Sequence, residues 1–179
     1  QRAYAPNMWA DYSFTEIQTN LKGLYLIDQE IIYEKNLKEF KFAIAFQESS
    51  NDWKNYNPYG YIGKFQFGQA ALQSTGFGYV DFVDFMNNPS VFPERDQEKA
   101  MDSLLSINEF ILGSYISEFE GAIFLDSVRI TKTGLLAAAH LAGPGNVKRF
   151  LKTKGSHNPQ DQMGTRLSDY LVTFGAHFH

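Results

Sequence analysis

ESSNDWKNYNPYGYIGKFQ, residues 48–66, is the stretch on which the reading of this chain turns. It opens with a carboxylate, Glu48, at the end of an apolar helical run. Polar, aromatic and turn-forming residues follow from Ser49 to Tyr59. Gly60-Tyr61-Ile62-Gly63-Lys64-Phe65-Gln66 then forms a Gly-x-x-Gly-x-x-Gln turn. Upstream, Leu37, Phe40, Ala43, Ile44 and Phe46 recur near the helical period, and Asn36 with Glu39 gives a capping pattern. The block Ala43-Ile44-Ala45-Phe46 predicts that the last turns of this helix are buried nearly all round. Glu48 then stands beside the negative end of the helix dipole. Burial and that dipole both disfavour the charged carboxylate, which is the direction a general acid needs.

Outward from this stretch, Asn51 to Tyr59 reads as a loop through the Asn57-Pro58 turn signal. Tyr59, Tyr61, Phe65 and Phe67, interleaved with Gly60, Ile62, Lys64 and Gln66, predict a small β-hairpin. Toward the N-terminus, Ser13 and Glu16 form a capping-box pattern. Gly23 separates two short helices, 14–22 and 24–34, whose expected role is packing. Toward the C-terminus the periodicity predicts helices over 69–74, a short one before Pro93, and a long one over 94–119. That long helix turns Ala100, Leu104, Ile107, Ile111 and Tyr115 inward. Residues 126–130 read as a connection. Thr131 or Thr133 caps a helix of small residues over 135–141. Gly143-Pro144-Gly145 breaks the chain before a helix over 146–152, and Thr165 or Ser168 starts the last helix, through Phe174. The sum is a mainly α (α+β) chain with one small β-hairpin beside a cleft.

The 179 residues suit a single domain, with 1–35 as an N-terminal packing segment and 36–175 as the core. The net charge of −4 argues against a nucleic-acid partner, which wants a basic stripe. It also argues mildly against a free enzyme that approaches an anionic cell wall, and less against a domain carried by a larger protein. With no cysteine, a disulfide framework and a thiolate nucleophile are both excluded. No apolar run reaches the length of a membrane span. Gln1-Arg2-Ala3-Tyr4 lacks the pattern of a signal peptide, and the chain reads as a domain excised from a longer protein. The four histidines have no helical pair spacing, so neither a metal site nor a cofactor is expected. Gly143-Pro144-Gly145 lacks the Lys-Ser or Lys-Thr of a phosphate cradle, and no nucleophile elbow is present.

Three patches together resemble the lysozyme-like superfamily, most closely its soluble lytic transglycosylase and goose-type lysozyme branch. Ala43-Ile44-Ala45-Phe46-Gln47-Glu48-Ser49 is similar to that branch's helix ending in Glu-Ser. Residues 60–66 are similar to its glycine turn. Ala138-Ala139-His140-Leu141-Ala142-Gly143-Pro144-Gly145-Asn146-Val147 resembles its Ala-Ala-Tyr-Asn-Ala-Gly-Pro-Gly-Asn-Val. The three, in order, span about residues 37–153. Two departures stand out: His140 and Leu141 replace Tyr and Asn, and that Asn commonly lines the cleft near the catalytic Glu. Residues 161–165 resemble instead the lysozyme-like domains of phage tail proteins or secreted effectors.

The resemblance implies cleavage of the β-1,4 bond between N-acetylmuramic acid and N-acetylglucosamine in peptidoglycan. Glu48 protonates the leaving oxygen. A muramidase then adds water, whereas a lytic transglycosylase closes a 1,6-anhydro ring. A non-catalytic glycan-binding module with the same fold is the other implied class, and a chitin-directed glycosidase a further one. The implied place of action is the bacterial periplasm or cell wall, with glycan strands as partner and an immunity or carrier protein as a second. Tyr170 falls where the family often has a Tyr facing the cleft. Inverting hydrolysis needs a second carboxylate. Asp52 is the nearest candidate in sequence, with Asp81 and Asp84 farther off, and its other reading is a loop cap. Ser49 positions Glu48 or a sugar substituent, or caps the helix. Gln66 bonds an acetamido group, or closes the hairpin. Tyr61 and its aromatic neighbours stack on sugar faces, or join the core. His140 is a cleft hydrogen-bond partner, or a satisfied, partly buried histidine.

Overall fold

The computed structural model describes residues 14–161 and 163–176. The chain divides into two compact units, residues 1–38 and 39–179. The first holds most of helix α1, Phe14–Ser49. The two short helices expected before residue 36 are one uninterrupted helix. Gly23 costs only about 1 kcal/mol against alanine, too little to end it. No proline lies between Pro6 and Pro58 to do so. Leu24, Ile27 and Ile31 of this unit are exposed. The proposed cap Ser13 lies outside the described residues.

The second unit carries the rest. Its helices are the end of α1, α2 (Gln69–Ser74), α3 (Phe82–Asn87), α4 (Glu94–Phe119), α5 (Lys132–Ala142), α6 (Pro144–Lys152) and α7 (Leu167–Phe174). A 3-10 turn, Pro89–Val91, precedes α4. The only ladder among the described residues is antiparallel, β1 (Ile123–Phe124) with β2 (Val128–Arg129), in register Ile123 to Arg129 and Phe124 to Val128. The molecule is therefore mainly helical with one small hairpin, as expected, but the hairpin is not the glycine stretch: its second strand falls in the segment 126–130 read as a connection and its first strand just before it. The glycine stretch forms only isolated bridges, Tyr56 to Ile62 and Ile62 to Phe67. Gly60, Gly63 and Gln66 all have positive φ, and extended alternation cannot pass through such positions.

Helix α5 is the hub, packed by α4, α6 and α7. Its N-terminus is capped by Thr131, whose Oγ1 accepts from Gly134 N at 3.1 Å. Leu135 to Ala139 are all buried. Small residues make this approach possible: a Cβ on Gly134 would lie 3.0 Å from the Leu171 carbonyl oxygen of α7. An aromatic layer of Phe65, Phe67, Phe92 and Phe77 joins the glycine turn to the start of α4, with ring centroids 5.3–5.8 Å apart. Phe65, Phe67 and Phe92 are fully buried, each contributing about 1.5–3 kcal/mol. The glycine turn is thus fixed to the core.

Candidate active site

The last turn of α1 sets the position of Glu48. Ser50 (φ 56°) and Asn51 (φ 64°) take left-handed conformations, and Asn51 N closes the helix by donating to Ala45 O at 3.0 Å. Ser49 is buried, and its hydroxyl donates to Lys64 O at 2.8 Å. It thereby ties the helix end to the glycine turn. Ser49 lines neither cavity described below, and its Oγ accepts from Asp52 N at 3.1 Å, so of its expected roles it holds that of closing the helix end, not of contacting a sugar.

The turn is anchored from beneath. Gln97 of α4 is fully buried and saturates its amide: Oε1 accepts from Lys64 N, and Nε2 donates to the carbonyls of Trp53 and Phe92, each at 2.8 Å. Gly63 lies on this amide with φ 76°, and a Cβ there would fall 2.4 Å from Gln97 Oε1. Only glycine fits on both counts. Lys64 is buried and pairs with Glu94 at 3.0 Å and with Glu98, while Lys41 of α1 pairs with Glu98 at 2.8 Å and Asp102 at 2.5 Å. The ion network joins α1, the turn and α4.

On this frame Glu48 meets α5 and α7. The Tyr170 hydroxyl donates to Glu48 Oε1. Burial first, then the charge of Glu48 and the bond to it, then Asp161, push the Tyr170 phenol far above its usual range. Tyr170 therefore stays a donor at any working pH. His140 Nε2 stands 4.0 Å from Glu48 Oε1 and 2.8 Å from Phe65 O. A carbonyl only accepts, so Nε2 carries the proton. Nδ1 has no partner among the described residues. The His140 side chain is 5% exposed and that of Glu48 16%. Glu48 Oε2 receives no hydrogen bond from the described residues.

Two adjoining cavities open here. The smaller, about 390 Å³, is lined by Glu48, Asn57, Gln160, Asp161, Leu141 and Met163. The larger, about 750 Å³, runs between α2, α3 and α4. Tyr59, Tyr61, Gln66 and His140 line both, so the two adjoin as one groove, whose smaller part Glu48 lines. Gln66 is held on two sides, accepting from Asn57 Nδ2 at 2.9 Å and donating to Gly63 O at 2.8 Å. It both closes the turn and faces the groove.

The structure thus brings together Glu48, Tyr61, Gln66, His140 and Tyr170. Asp52 is excluded. It is exposed, lines neither cavity, and its Oδ1 accepts from Lys54 N at 2.9 Å, so it caps a turn. The left-handed residues at Ser50 and Asn51 turn it away. Asp84 is exposed on α3, and Asp81 caps that helix at the edge of the larger cavity. The carboxylate that shares the Glu48 cavity is Asp161, which sequence reasoning missed. Its Oδ1 accepts from Met163 N and Thr165 N, each at 2.8 Å, so the loop fixes its aim. Asn57 was read only as a turn residue. Among the described residues no cluster of three His, Cys, Asp or Glu could hold a metal, and no helix is long and apolar enough to cross a membrane.

In comparisons with known proteins no family model matches the chain, and no curated protein and no solved structure is significantly similar to it.

Proposed function

We propose that the chain cleaves the β-1,4 bond between N-acetylmuramic acid and N-acetylglucosamine in peptidoglycan, with Glu48 as general acid. One observation carries this reading: a carboxyl that accepts from the Tyr170 hydroxyl on one oxygen, receives no hydrogen bond from the described residues on the other, and lines a cavity that it shares with Asp161. Such an acid delivers its proton from Oε2 to the glycosidic oxygen as the bond to the anomeric carbon breaks. Tyr170 holds the carboxyl in place, and after proton transfer its O–H stabilises the carboxylate. The motifs at 43–49, 60–66 and 138–147 add the sequence likeness.

Asp161 favours hydrolysis. It lines the same cavity as Glu48 and is the group that takes a proton from a water attacking the anomeric carbon in this reading. The transglycosylase reading needs no such group, since Glu48 can serve as acid and then as base toward the sugar's own 6-hydroxyl. Mass spectrometry of released muropeptides separates the two, because anhydro products lack one water. The parent reading is tested by clearing of a cell-wall suspension. Native protein should clear it, and Glu48→Gln should be slower by about 10²-fold or more. Clearing that survives the substitution removes Glu48 from the role. No clearing by either protein points to a glycan-binding module.

A further inference from the structure

The charges of this chain are unevenly placed. Residues 121–179 hold seven Lys and Arg against three Asp and Glu, whereas residues 1–120 hold nine against seventeen. Four of those seven cations, Lys148, Arg149, Lys152 and Lys154, fall within seven residues. Helical spacing puts Lys148, Arg149 and Lys152 on one face of α6, while Val147, Phe150 and Leu151 are buried on the other. Lys154 follows, exposed, in the turn beyond. The Lys148 and Lys152 ammonium groups both stand over the Tyr115 ring of α4, 5.4 and 5.6 Å from its centroid. The ring attracts each of them, yet two like charges at i and i+4 repel. Lys41, Lys64, Lys99 and Lys132 are all paired with carboxylates, but none of these four cations has an ion-pair partner among the described residues. The helix dipole favours cations in the last turn, which accounts for Arg149 and Lys152 but not for Lys148 or Lys154.

We propose that the exposed face of α6 is a docking surface for a flexible polyol-phosphate polymer, held by charge along its length. Unpaired cations in one stripe call for an anion, and lysine ammonium groups suit phosphate as point charges. The screening length at physiological salt is about 8 Å, so the local stripe outweighs acidic residues farther off. None of the four cations lines the groove, so the polymer lies outside the cleavage site. No large apolar side chain is exposed between residues 126 and 161, so the face has nothing to insert into a bilayer. Single-stranded nucleic acid wants open aromatic faces for its bases, and Tyr115 gives its ring to two ammonium groups instead. The stripe starts one helical turn after Pro144, which is in the wall of the larger cavity, so a polymer held here keeps its wall close to the groove. The choice of this polymer among phosphate polyanions rests on the glycan reading of Glu48, because that reading places the chain at a bacterial wall. The attraction itself rests on the stripe alone.

The test is calorimetric titration of the native full chain with poly(glycerol phosphate) across a salt series. Four contacts to a single-stranded polyanion give log affinity a slope of about −3 against log salt, a loss of about 50-fold between about 50 and about 200 mM. Lys148→Gln with Lys152→Gln should halve that slope, to about −1.5. Lys22→Gln with Lys54→Gln removes the same net charge elsewhere and should leave the slope unchanged. A native slope shallower than about −1, an unchanged slope in the α6 variant, or an equal fall in the other pair each overturns the proposal. So does tighter binding, at the same salt and phosphate concentration, to phosphatidylglycerol–phosphatidylcholine vesicles or to single-stranded DNA. The salt series on the native chain does not depend on how the variants fold. Cell-wall clearing by the native protein is measured alongside. Clearing without salt-dependent polymer binding sinks this surface alone, and polymer binding without clearing sinks only the catalytic reading.

Discussion

Tyr170 and Glu48 are 122 positions apart in sequence and joined by one hydrogen bond. Because burial and the neighbouring carboxylates keep the phenol protonated, its contribution to Glu48 is a constant donor rather than a titrating group. Tyr170→Phe should lower kcat by about 10- to 100-fold, the worth of a hydrogen bond to a charged group, with KM much less affected. Steady-state kinetics on a soluble glycan substrate reads this, and an unchanged kcat would detach Tyr170 from the chemistry. Asp161 is tested by what it makes. Asp161→Asn leaves an acceptor for the Met163 and Thr165 amides but removes the proposed base, so on the hydrolase reading hydrolysed product should fall by about 10²-fold while any anhydro product persists. Retained hydrolysis in that variant would return the reaction to Glu48 alone.

At the scale of elements, the glycine turn decides whether the site assembles, since it carries Tyr61, Gln66 and the Phe65 carbonyl that fixes His140. Gly63→Ala combines a left-handed alanine with a methyl pressed on the saturated Gln97 amide, at a total cost of about 3 kcal/mol. Urea unfolding should show that loss, and a change below about 1 kcal/mol would mean the turn yields. This turn was legible in sequence because glycine spacing marks it. The extents of the long α4 and the small-residue α5 were legible from periodicity, but the end of α1 is not buried all round as expected: Ile44 and Ala45 are buried while Phe42 and Phe46 are exposed, so only one face of its last turns packs. The hairpin was misplaced because aromatic alternation at 59–67 imitates a strand, while the real ladder, with two residues in each strand, is too short to show a period. Asp52 was chosen for nearness in sequence, yet two left-handed residues after Glu48 reverse the chain. Asp161 gave no local signal, because it is placed by loop hydrogen bonds to the Met163 and Thr165 amides.

At the scale of the whole molecule, the second unit is bound together by charges inside a largely apolar frame. Burial pushes the Glu98 carboxyl up, but the hydrogen bonds and charges of Lys41 and Lys64 outweigh it and hold Glu98 below its ordinary value. Burial pulls the Lys41 amine down, but Asp102 and Glu98 outweigh it and hold Lys41 above its ordinary value. The two signs act at opposite ends of the pH scale. A depressed carboxyl adds stability that is present above the unfolded value, about 4.3, and is lost as pH falls through the lower folded value. A raised amine adds stability that is present below its unfolded value, about 10.4, and is lost as pH rises through the higher folded one. The melting temperature should therefore be level from about pH 5 to pH 9 and fall steeply below about pH 4. Glu98→Gln should lower the plateau, because it leaves two buried lysines short of a partner, and should make the acid fall shallower, because one linked proton is gone. Thermal melts of both proteins between pH 3 and pH 9 decide it: an acid limb equally steep in the variant would place the acid sensitivity on other carboxylates and leave the Lys41–Glu98–Lys64 network without its assigned part in holding α1, the glycine turn and α4 together.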